Sequence, residues 1–192
     1  MTLSVLRAAD RAAVPWKNGG GVTREIAAWP PGSGFDDFAW RISMAEVRED
    51  GPFSSFPGID RVLTVLEGAL RLTVQDAGVF DLSPCSAPLA FDGAALTSAQ
   101  LTAGPVLDLN VMTRRGAAIA RVDRVTSHLD LPPMAAACLV FALADGVEVH
   151  SAGEFHQLDR YDGVLSRTVA SVEASAEAQA IVVWLTISDT RA

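Results

Sequence analysis

The stretch PWKNGGGVTREI, from Pro15 to Ile26, places two basic side chains and an asparagine beside three consecutive glycines. Lys17 is the only lysine in a chain with 14 arginines, and it precedes Asn18, one of two asparagines. An ammonium group is compact whereas a guanidinium is a wide planar fork. A lysine at this position therefore predicts a confined site that an arginine would not fit. Consecutive glycines permit tight turns and let backbone N–H groups approach an anion. The stretch is therefore a candidate anion-contacting loop, with a plain hairpin loop as the structural alternative.

Several arginines fall in segments whose side chains alternate between two faces, as they do along a β-strand. In VTREIAAW, Arg24 shares a face with Val22 and Ile26, and these apolar neighbours predict that Arg24 points inward. In AWRISMAEV, Arg41 and Ser43 share one face. Both segments therefore offer basic side chains to the interior of a β-structure.

Two later segments extend this pattern. Arg61 opens RVLTVL, and in VLDLNVM the side chain of Asn110 shares a face with Asp108 and Met112. If the polar faces meet inside one barrel, its lumen holds Lys17, Arg24, Arg41 and Arg61 with Asn18 and Asn110. In a chain of net charge −8, such a pocket suits a small carboxylate held by bidentate arginine contacts. The alternative is that Arg24 and Arg41 pair with Glu25, Glu46 or Asp108, or lie at the surface.

Short alternating runs bounded by Gly, Pro, Asp and Ser dominate the chain and predict an all-β sandwich or barrel. The predicted strands form two sets, 22–29, 38–47, 61–66, 69–75, 79–82, 88–91, 95–102 and 106–112, then 119–125, 138–142, 147–150, 155–158, 164–167 and 181–187. The simplest organisation is two β-barrel or sandwich halves. VLEGALRLTV and FALADGVEVH are candidates for corresponding hairpins of these halves, and short helical turns are expected near 8–12 and 132–137.

Composition excludes several classes of protein. Nearly half of the residues are apolar and a fifth are charged, which excludes intrinsic disorder, and the net charge of −8 argues against nucleic-acid binding. No apolar run approaches the ~20 residues that span a bilayer, and MTLSVLRAADRAAVPW lacks the pattern of a signal peptide. We therefore expect a cytoplasmic protein with no membrane or nucleic-acid partner. Cys85 and Cys138 are expected to be buried, reduced thiols.

Catalytic and metal-binding motifs are weakly represented. No GxSxG, HExxH or Cys/His arrangement indicates nucleophilic catalysis, and no Gly-Lys-Ser/Thr follows the glycines to make a phosphate loop. EVHSAGEFH, residues 148–156, offers two histidines and two acids as metal ligands, but a solvated loop is the favoured interpretation. We expect no catalytic residue, no metal and no cofactor.

Four motifs together resemble the HutD/Ves family: PWKNGGGVTREIA, the Trp40–Val47 segment, DGPFSSFPGIDRVLTVLEG and GPVLDLNVMTRR. They cover most of the first 115 residues. The resemblance implies a cupin fold with two cupin-like double-stranded β-barrels in one chain, a bicupin. The N-terminal barrel, 1–115, would carry the motifs, and a smaller C-terminal barrel would comprise 116–192. The family also implies a cytoplasmic bacterial protein linked to histidine utilisation that senses a pathway intermediate.

The cupin resemblance also bears on the chemistry of the lumen. Counting back from Gly68 places Arg61 where metal-binding cupins carry a glutamate ligand, and Leu89 stands at the histidine of their second motif. All four metal ligands are replaced, and an arginine at a ligand position favours an anion over a cation. The candidate ligand-binding residues are Trp16, Lys17, Asn18, Gly19, Gly20, Thr23, Arg24, Arg41, Ser43, Arg61, Asn110 and Met112.

The favoured function is a metal-free protein that binds an anionic intermediate of histidine breakdown, of the formylglutamate or urocanate class, and modulates histidine utilisation. The alternative is a metal-independent isomerase or hydrolase acting on such an intermediate, with Glu25 as a candidate base. A third hypothesis is an interaction module in which Phe53, Phe56 and Trp29 form a surface patch for a regulatory protein partner. Fold-level analogy suggests a homodimer.

Overall fold

The structure, a computed structural model, describes residues 3–16, 19–131, 137–151, 153–174 and 179–187. Its regular elements are β-strands and one 3₁₀ helix, Ala8–Asp10, which confirms the all-β prediction. In chain order the strands are β1 (Ser4–Leu6), β2 (Ala13–Pro15), β3 (Gly21–Trp29), β4 (Trp40–Val47), β5 (Gly51–Pro52), β6 (Ile59–Glu67), β7 (Leu70–Val74), β8 (Gly78–Leu82), β9 (Leu89–Asp92), β10 (Thr97–Leu101), β11 (Val106–Arg114), β12 (Ala118–Val125), β13 (Leu129–Asp130), β14 (Ala137–Ala142), β15 (Val147–Ser151), β16 (Glu154–Leu158), β17 (Gly163–Ser166), β18 (Val169–Glu173) and β19 (Ala180–Ile187).

Each strand predicted from the alternating pattern is present, with its ends within two residues of the prediction. The strands that the pattern did not predict are β1, β2, β5, β13 and β18, most of which are too short to show a period. The turn expected near 8–12 is the 3₁₀ helix. Most of the second expected turn, 132–136, lies outside the described residues. No helix in the described part of the chain is long and apolar enough to cross a membrane.

The chain divides into two compact units. Among the described residues, the first unit is Ala12–Ala118, and the second combines residues 3–11 with residues 119–187. The sequence had grouped the first eleven residues with the rest of 1–115, whereas the structure groups them with the C-terminal part. Each unit contains two antiparallel sheets among its described residues, and the closing of these sheets into barrels stays a prediction.

The first unit contains a six-stranded sheet in the order β2-β3-β4-β11-β6-β9 and a four-stranded sheet in the order β5-β10-β7-β8. Leu63 and Val65 on β6 share one hydrophobic cluster with Leu70, Leu72 and Val74 on β7. All five side chains are at most 3% exposed. The two sheets are therefore held together by apolar burial, the main favourable term in folding.

The second unit repeats this plan with a five-stranded sheet in the order β1-β17-β14-β19-β12 and a four-stranded sheet in the order β13-β18-β15-β16. Its N-terminal strand is fixed by an ionic contact as well as by pairing. Arg7 Nη1 donates to Asp162 Oδ2 at 2.6 Å, and the Ala8 N–H donates to Asp162 Oδ1 at 2.7 Å. Burial alone would raise the pKa of Asp162, but these two hydrogen bonds, a third from Asp159 N and the charge of Arg7 together lower that pKa.

Two sequence expectations differ from the structure. In VLEGALRLTV and FALADGVEVH the two strands of each segment belong to different sheets, so neither segment is a hairpin. In both, the turn carries the chain from the larger sheet of a unit to its four-stranded sheet. Cys138 is buried, and burial raises the pKa of its thiol to about 12. Cys85 is exposed, because the SPCSAP segment forms a turn closed by the hydrogen bond from Ser83 N to Ser86 Oγ.

Strands β2 and β3 form an antiparallel hairpin, and Gly19 and Gly20 belong to its loop. Trp16 N donates to Gly21 O at 2.9 Å, and Gly19 N donates to Trp16 O at 3.1 Å. Gly19 has a φ of +78°, in the left-handed region that favours glycine. A Cβ on Gly21 would lie 2.5 Å from Glu46 O and 2.9 Å from Trp16 Cε3. Gly21 therefore lets the loop pack its tryptophan against the sheet.

Replacing Gly21 by alanine is expected to destabilise the first unit by roughly 1–3 kcal/mol, because the added methyl group overpacks a site walled by backbone. Chemical unfolding followed by tryptophan fluorescence measures the change. Gly51→Ala is the matched control, since a Cβ there meets nothing within 4 Å. Equal stability of the two variants would contradict the packing argument.

Candidate functional site

One face of the six-stranded sheet lines a cavity of about 730 Å³. Directly opposite residues on neighbouring strands point to the same face, and the register places the lining side chains in three rows. The first row contains Thr23, Ala45 and Asp108, the second contains Glu25, Ser43 and Asn110, and the third contains Arg41, Met112 and Arg61. Loop residues complete the wall, among them Trp16, Phe35, Phe53, Ser54 and Phe56.

The cavity brings together seven of the residues predicted from the sequence, Trp16, Thr23, Arg41, Ser43, Arg61, Asn110 and Met112. Gly19 and Gly20 belong to the hairpin loop but do not line the cavity. Lys17 and Asn18 lie outside the described residues, so their roles stay predictions.

Arg24 does not face the cavity, and the expectation that it points into this lumen is wrong. It pairs with Met44, on the opposite face from Thr23 and Glu25. Strand β3 has apolar neighbours on both faces, so Val22 and Ile26 did not identify the face of the cavity. Arg24 instead lies close enough to Glu46 to help lower the pKa of that carboxyl, although a hydrogen bond from Arg48 contributes most.

Arg61 is the central cation of the cavity. Its side chain is enclosed, since the residue is only 4% exposed. The guanidinium carbon lies 5.4 Å from the ring centroid of Phe53, 5.6 Å from that of Phe56 and 5.0 Å from that of Phe91. Burial lowers the pKa of Arg61 to about 10, against the attraction of Asp108. The group therefore remains a cation at neutral pH.

The hydrogen bonds of Arg61 to the protein are few and long. Nε donates to Asn110 Oδ1 at 3.4 Å, and Nη1 donates to Ser54 O at 3.4 Å. A guanidinium has five N–H donors, so most of its capacity is unused within the described part of the chain. A planar oxyanion would satisfy these donors with shorter, charge-assisted bonds.

Arg41 is in a different state, because it is already paired. Its Nε donates to Glu25 Oε2 at 2.8 Å and its Nη1 donates to Ser43 Oγ at 3.4 Å. The guanidinium carbon also lies 4.8 Å from the ring centroid of Phe35. Arg41 thus contributes positive charge that Glu25 largely balances.

Asp108 is the residue that sequence reasoning missed. It lines the cavity, is 2% exposed, and its Oδ1 atom is buried with no hydrogen-bond partner. Burial raises its pKa to about 7, although Arg61 opposes the shift. The alternation had placed Asp108 beside Asn110 and Met112, but the depth of burial that makes it unusual depends on the tertiary structure.

The loop that carries Phe53, Ser54 and Phe56 is fixed against β6 by close backbone contacts. Phe56 N donates to Gly93 O at 2.7 Å, and Gly93 N donates to Ile59 O at 2.8 Å. A Cβ on Gly93 would lie 2.7 Å from Ile59 O and 2.9 Å from Phe56 O. The absence of a side chain at Gly93 therefore lets the loop close over Arg61. Phe53 and Phe56 are parts of this wall, whereas one sequence hypothesis had placed them in a surface patch.

The histidines lie in the second unit. EVHSAGEFH spans parts of the paired strands β15 and β16, instead of the solvated loop that we expected. His128 contacts Asp130 and Glu173 on the surface, and hydrogen bonds to these two carboxylates raise its pKa. Within the described ranges, no group of three or more His, Cys, Asp or Glu side chains is arranged to hold a metal ion.

Comparison with known proteins adds family and fold relationships. Residues 8–184 match the family model described as HutD. The chain is 40% identical over 162 residues to an uncharacterized 21.2 kDa protein in the hutC 3′ region of Pseudomonas putida, with 83% of this chain and 84% of that protein covered. It is 41% identical over 109 residues to Protein Ves of Escherichia fergusonii, which covers 56% of each chain.

Solved structures agree with these relationships. HutD from Pseudomonas fluorescens SBW25 is 36% identical and superposes with a TM-score of 0.84, covering 97% of this chain and 99% of that chain. A cupin 2 conserved barrel domain protein from Leptotrichia buccalis superposes with a TM-score of 0.58 at 12% identity, covering 91% and 92% of the two chains. The second likeness shows that the fold is cupin-like.

Removing the carboxyl charge of Asp108 is expected to stabilise the protein above neutral pH. The folded protein keeps the Asp108 proton up to about pH 7, whereas an unfolded aspartate loses it near pH 4. The free energy of unfolding therefore falls as the pH rises from 4 to 7, and the loss due to Asp108 stays constant above pH 7. The free energy of unfolding of Asp108→Asn should exceed that of the wild type by up to about 4 kcal/mol at pH 8, and the two should be equal near pH 4.

Urea unfolding between pH 4 and pH 8 measures this difference. Asp81→Asn is the control, because Asp81 is an exposed carboxylate paired with Arg71 and its removal should not stabilise the protein at pH 8. If the free energies of unfolding of Asp108→Asn and the wild type differ by the same amount at every pH, Asp108 is not a buried, titrating carboxyl group.

Proposed function

The chain belongs to the HutD family, which also includes the Ves proteins, and on that premise we propose that it is a metal-free sensor of a small anionic intermediate of histidine breakdown. The family is linked to histidine utilisation by its name and by the hutC-region position of the P. putida relative. In this proposal, ligand binding in the cavity modulates histidine utilisation in the cytoplasm. A homodimer and a regulatory protein partner are parts of the proposal that involve surfaces outside the cavity.

Arg61 is the observation that carries the proposal. A guanidinium that is enclosed by three phenylalanine rings and makes two hydrogen bonds at 3.4 Å still has N–H donors that can bind an oxyanion. Charge-assisted hydrogen bonds to arginine are about twice as strong as neutral ones. The cavity volume of about 730 Å³ lies in the range of small-molecule sites. These features support a small carboxylate as the ligand.

Formylglutamate or a close relative is the ligand that we favour, with the urocanate class next. A carboxylate of this ligand would bind Arg61, and the second would lie towards Arg41. Asn110 uses Oδ1 to accept from Arg61, which leaves its amide N–H group for the formyl oxygen.

A metal-independent isomerase or hydrolase is the second candidate function, and Asp108 is the observation that favours it. A general base works best when its pKa lies near the operating pH, and burial brings the pKa of Asp108 to about 7. Glu25, the base suggested by the sequence, is instead engaged by Arg41. Incubation of the protein with each intermediate, followed by mass spectrometry, tests for turnover.

Thermal unfolding with histidine, urocanate, formiminoglutamate, formylglutamate and glutamate tests the proposed function. A ligand at 100 times its Kd stabilises the folded state by about 2.7 kcal/mol, which is a Tm rise of roughly 5–11 °C for a chain of this size. We expect a large rise with formylglutamate. Arg61→Met, which keeps an apolar stem against the phenylalanine rings, should weaken binding about tenfold or more because charge-assisted hydrogen bonds are lost.

Arg71→Met is the matched control, since Arg71 is an exposed arginine on β7 that pairs with Asp81. It should bind the ligand as the wild type does. If none of the five compounds raises Tm, or if Arg61→Met binds as tightly as the control, the anion-sensing proposal is wrong. New products in the mass spectra would instead support the hypothesis that the protein is an enzyme.

A further inference from the structure

We propose that Asp108 is a second recognition group of the cavity: in its neutral form it donates its carboxyl proton to the ligand carboxylate that Arg61 holds. The inference rests on the proposed function and deepens it, because it assigns a proton to the binding step. No bond between heavy atoms forms or breaks, and above pH 7 the one covalent change is the O–H bond that Asp108 gains. One proton passes from solvent to Asp108 and lies in a hydrogen bond between the carboxyl group and the bound anion.

The position of Asp108 supplies the geometric argument. Strand β11 lies between β4 and β6 in the middle of the sheet, and Asp108 pairs with Ala45 on one side and Val65 on the other. Neither neighbour has a polar side chain, and Oδ1 has no partner although it is buried. A buried polar atom without a hydrogen bond costs about 1–3 kcal/mol. A ligand in the cavity is the partner that would remove this cost.

The charges that line the cavity decide the protonation state of Asp108 in the complex. The charged lining residues that the structure describes are Arg41, Arg61, Glu25 and Asp108, contributed by β4, β6, β3 and β11. With both acids ionised, two positive and two negative charges cancel. A neutral Asp108 leaves one net positive charge, which is the state that attracts an anion. The remaining lining residues are uncharged, and Lys17, which follows Trp16 in the chain, lies outside the described residues.

The titration of Asp108 agrees with this charge count. Burial raises its pKa to about 7 in the unliganded protein, even with Arg61 nearby. An anion placed beside it raises the pKa further, since a like charge disfavours ionisation. Binding above neutral pH should therefore be accompanied by uptake of one proton. The ligand carboxylates stay ionised throughout this range, so the proton goes to the protein.

An ionised Asp108 that accepts an N–H group of the ligand is the competing arrangement, and it predicts the opposite pH dependence. In that arrangement the ligand would bind more tightly as the pH rises through 7. Proton donation predicts weaker binding over the same interval. The direction of the change separates the two arrangements without any mutation.

Isothermal titration calorimetry of the full chain with formylglutamate, between pH 6 and pH 9, provides the test. Two buffers of different ionisation enthalpy at each pH report the number of protons taken up. We expect Kd to change little below pH 7 and then to rise towards about tenfold per pH unit. Proton uptake should approach one per ligand above pH 8.

Asp108→Asn and Asp81→Asn are the paired variants. An asparagine cannot ionise, so the Kd of Asp108→Asn should vary by less than about twofold over the same pH range, with no proton uptake. Asp81→Asn should behave as the wild type, because Asp81 lies on β8, outside the cavity lining. The wild-type profile and its buffer dependence test the inference even if Asp108→Asn does not fold.

Three results would overturn the inference. Tighter binding at higher pH would assign Asp108 the role of an ionised acceptor. A wild-type Kd that is independent of pH, with no proton uptake, would exclude Asp108 from recognition while leaving the anion site in place. Absence of binding by formylglutamate and by the four other compounds at every pH would remove the proposed function itself and the inference with it.

Discussion

Enclosing a guanidinium in a cavity is the constraint on which the rest of the first unit depends. Moving a charged group out of water costs several kcal/mol even after the protein relaxes, so Arg61 must be compensated by its surroundings. Phenylalanine rings from the 53–56 loop and from β9 face the cation, and Asp108 attracts it from β11 when its carboxyl group is ionised. Gly93 lets that loop approach the sheet. Several elements thus converge on one side chain.

The fold is cupin-like, and in the first unit the cavity is built around a cation, the guanidinium of Arg61. Its neighbours are arranged accordingly, with aromatic faces and an amide oxygen directed towards the guanidinium. A shared sheet scaffold therefore says little about the charge of its ligand, which depends on a few inward-facing positions.

Sequence reasoning predicted the strands well and the cavity in part, for identifiable reasons. Alternation over eight or nine residues gives both the strand and its faces, which is why Arg41, Ser43, Asn110 and Met112 were placed together. It does not say which face is the cavity when both faces carry apolar side chains, and Arg24 was misplaced for that reason. The burial of Asp108 could not be predicted from the sequence, because it arises from strands that are distant in sequence. Strand β1 has only three residues and no detectable period.

The pairing of β1 with β17 has a consequence for the order in which the chain folds during synthesis. The strands of the first unit, β2 to β11, follow one another in sequence, so all of them are available once residue 114 has left the ribosome. Ser4 must wait for Leu165, its partner across the β1–β17 ladder. At the usual 5–20 residues per second, the nascent N-terminal segment remains unpaired for roughly 8 to 30 s. The second unit is thus completed by pairing a segment translated before the first unit with strands translated after it.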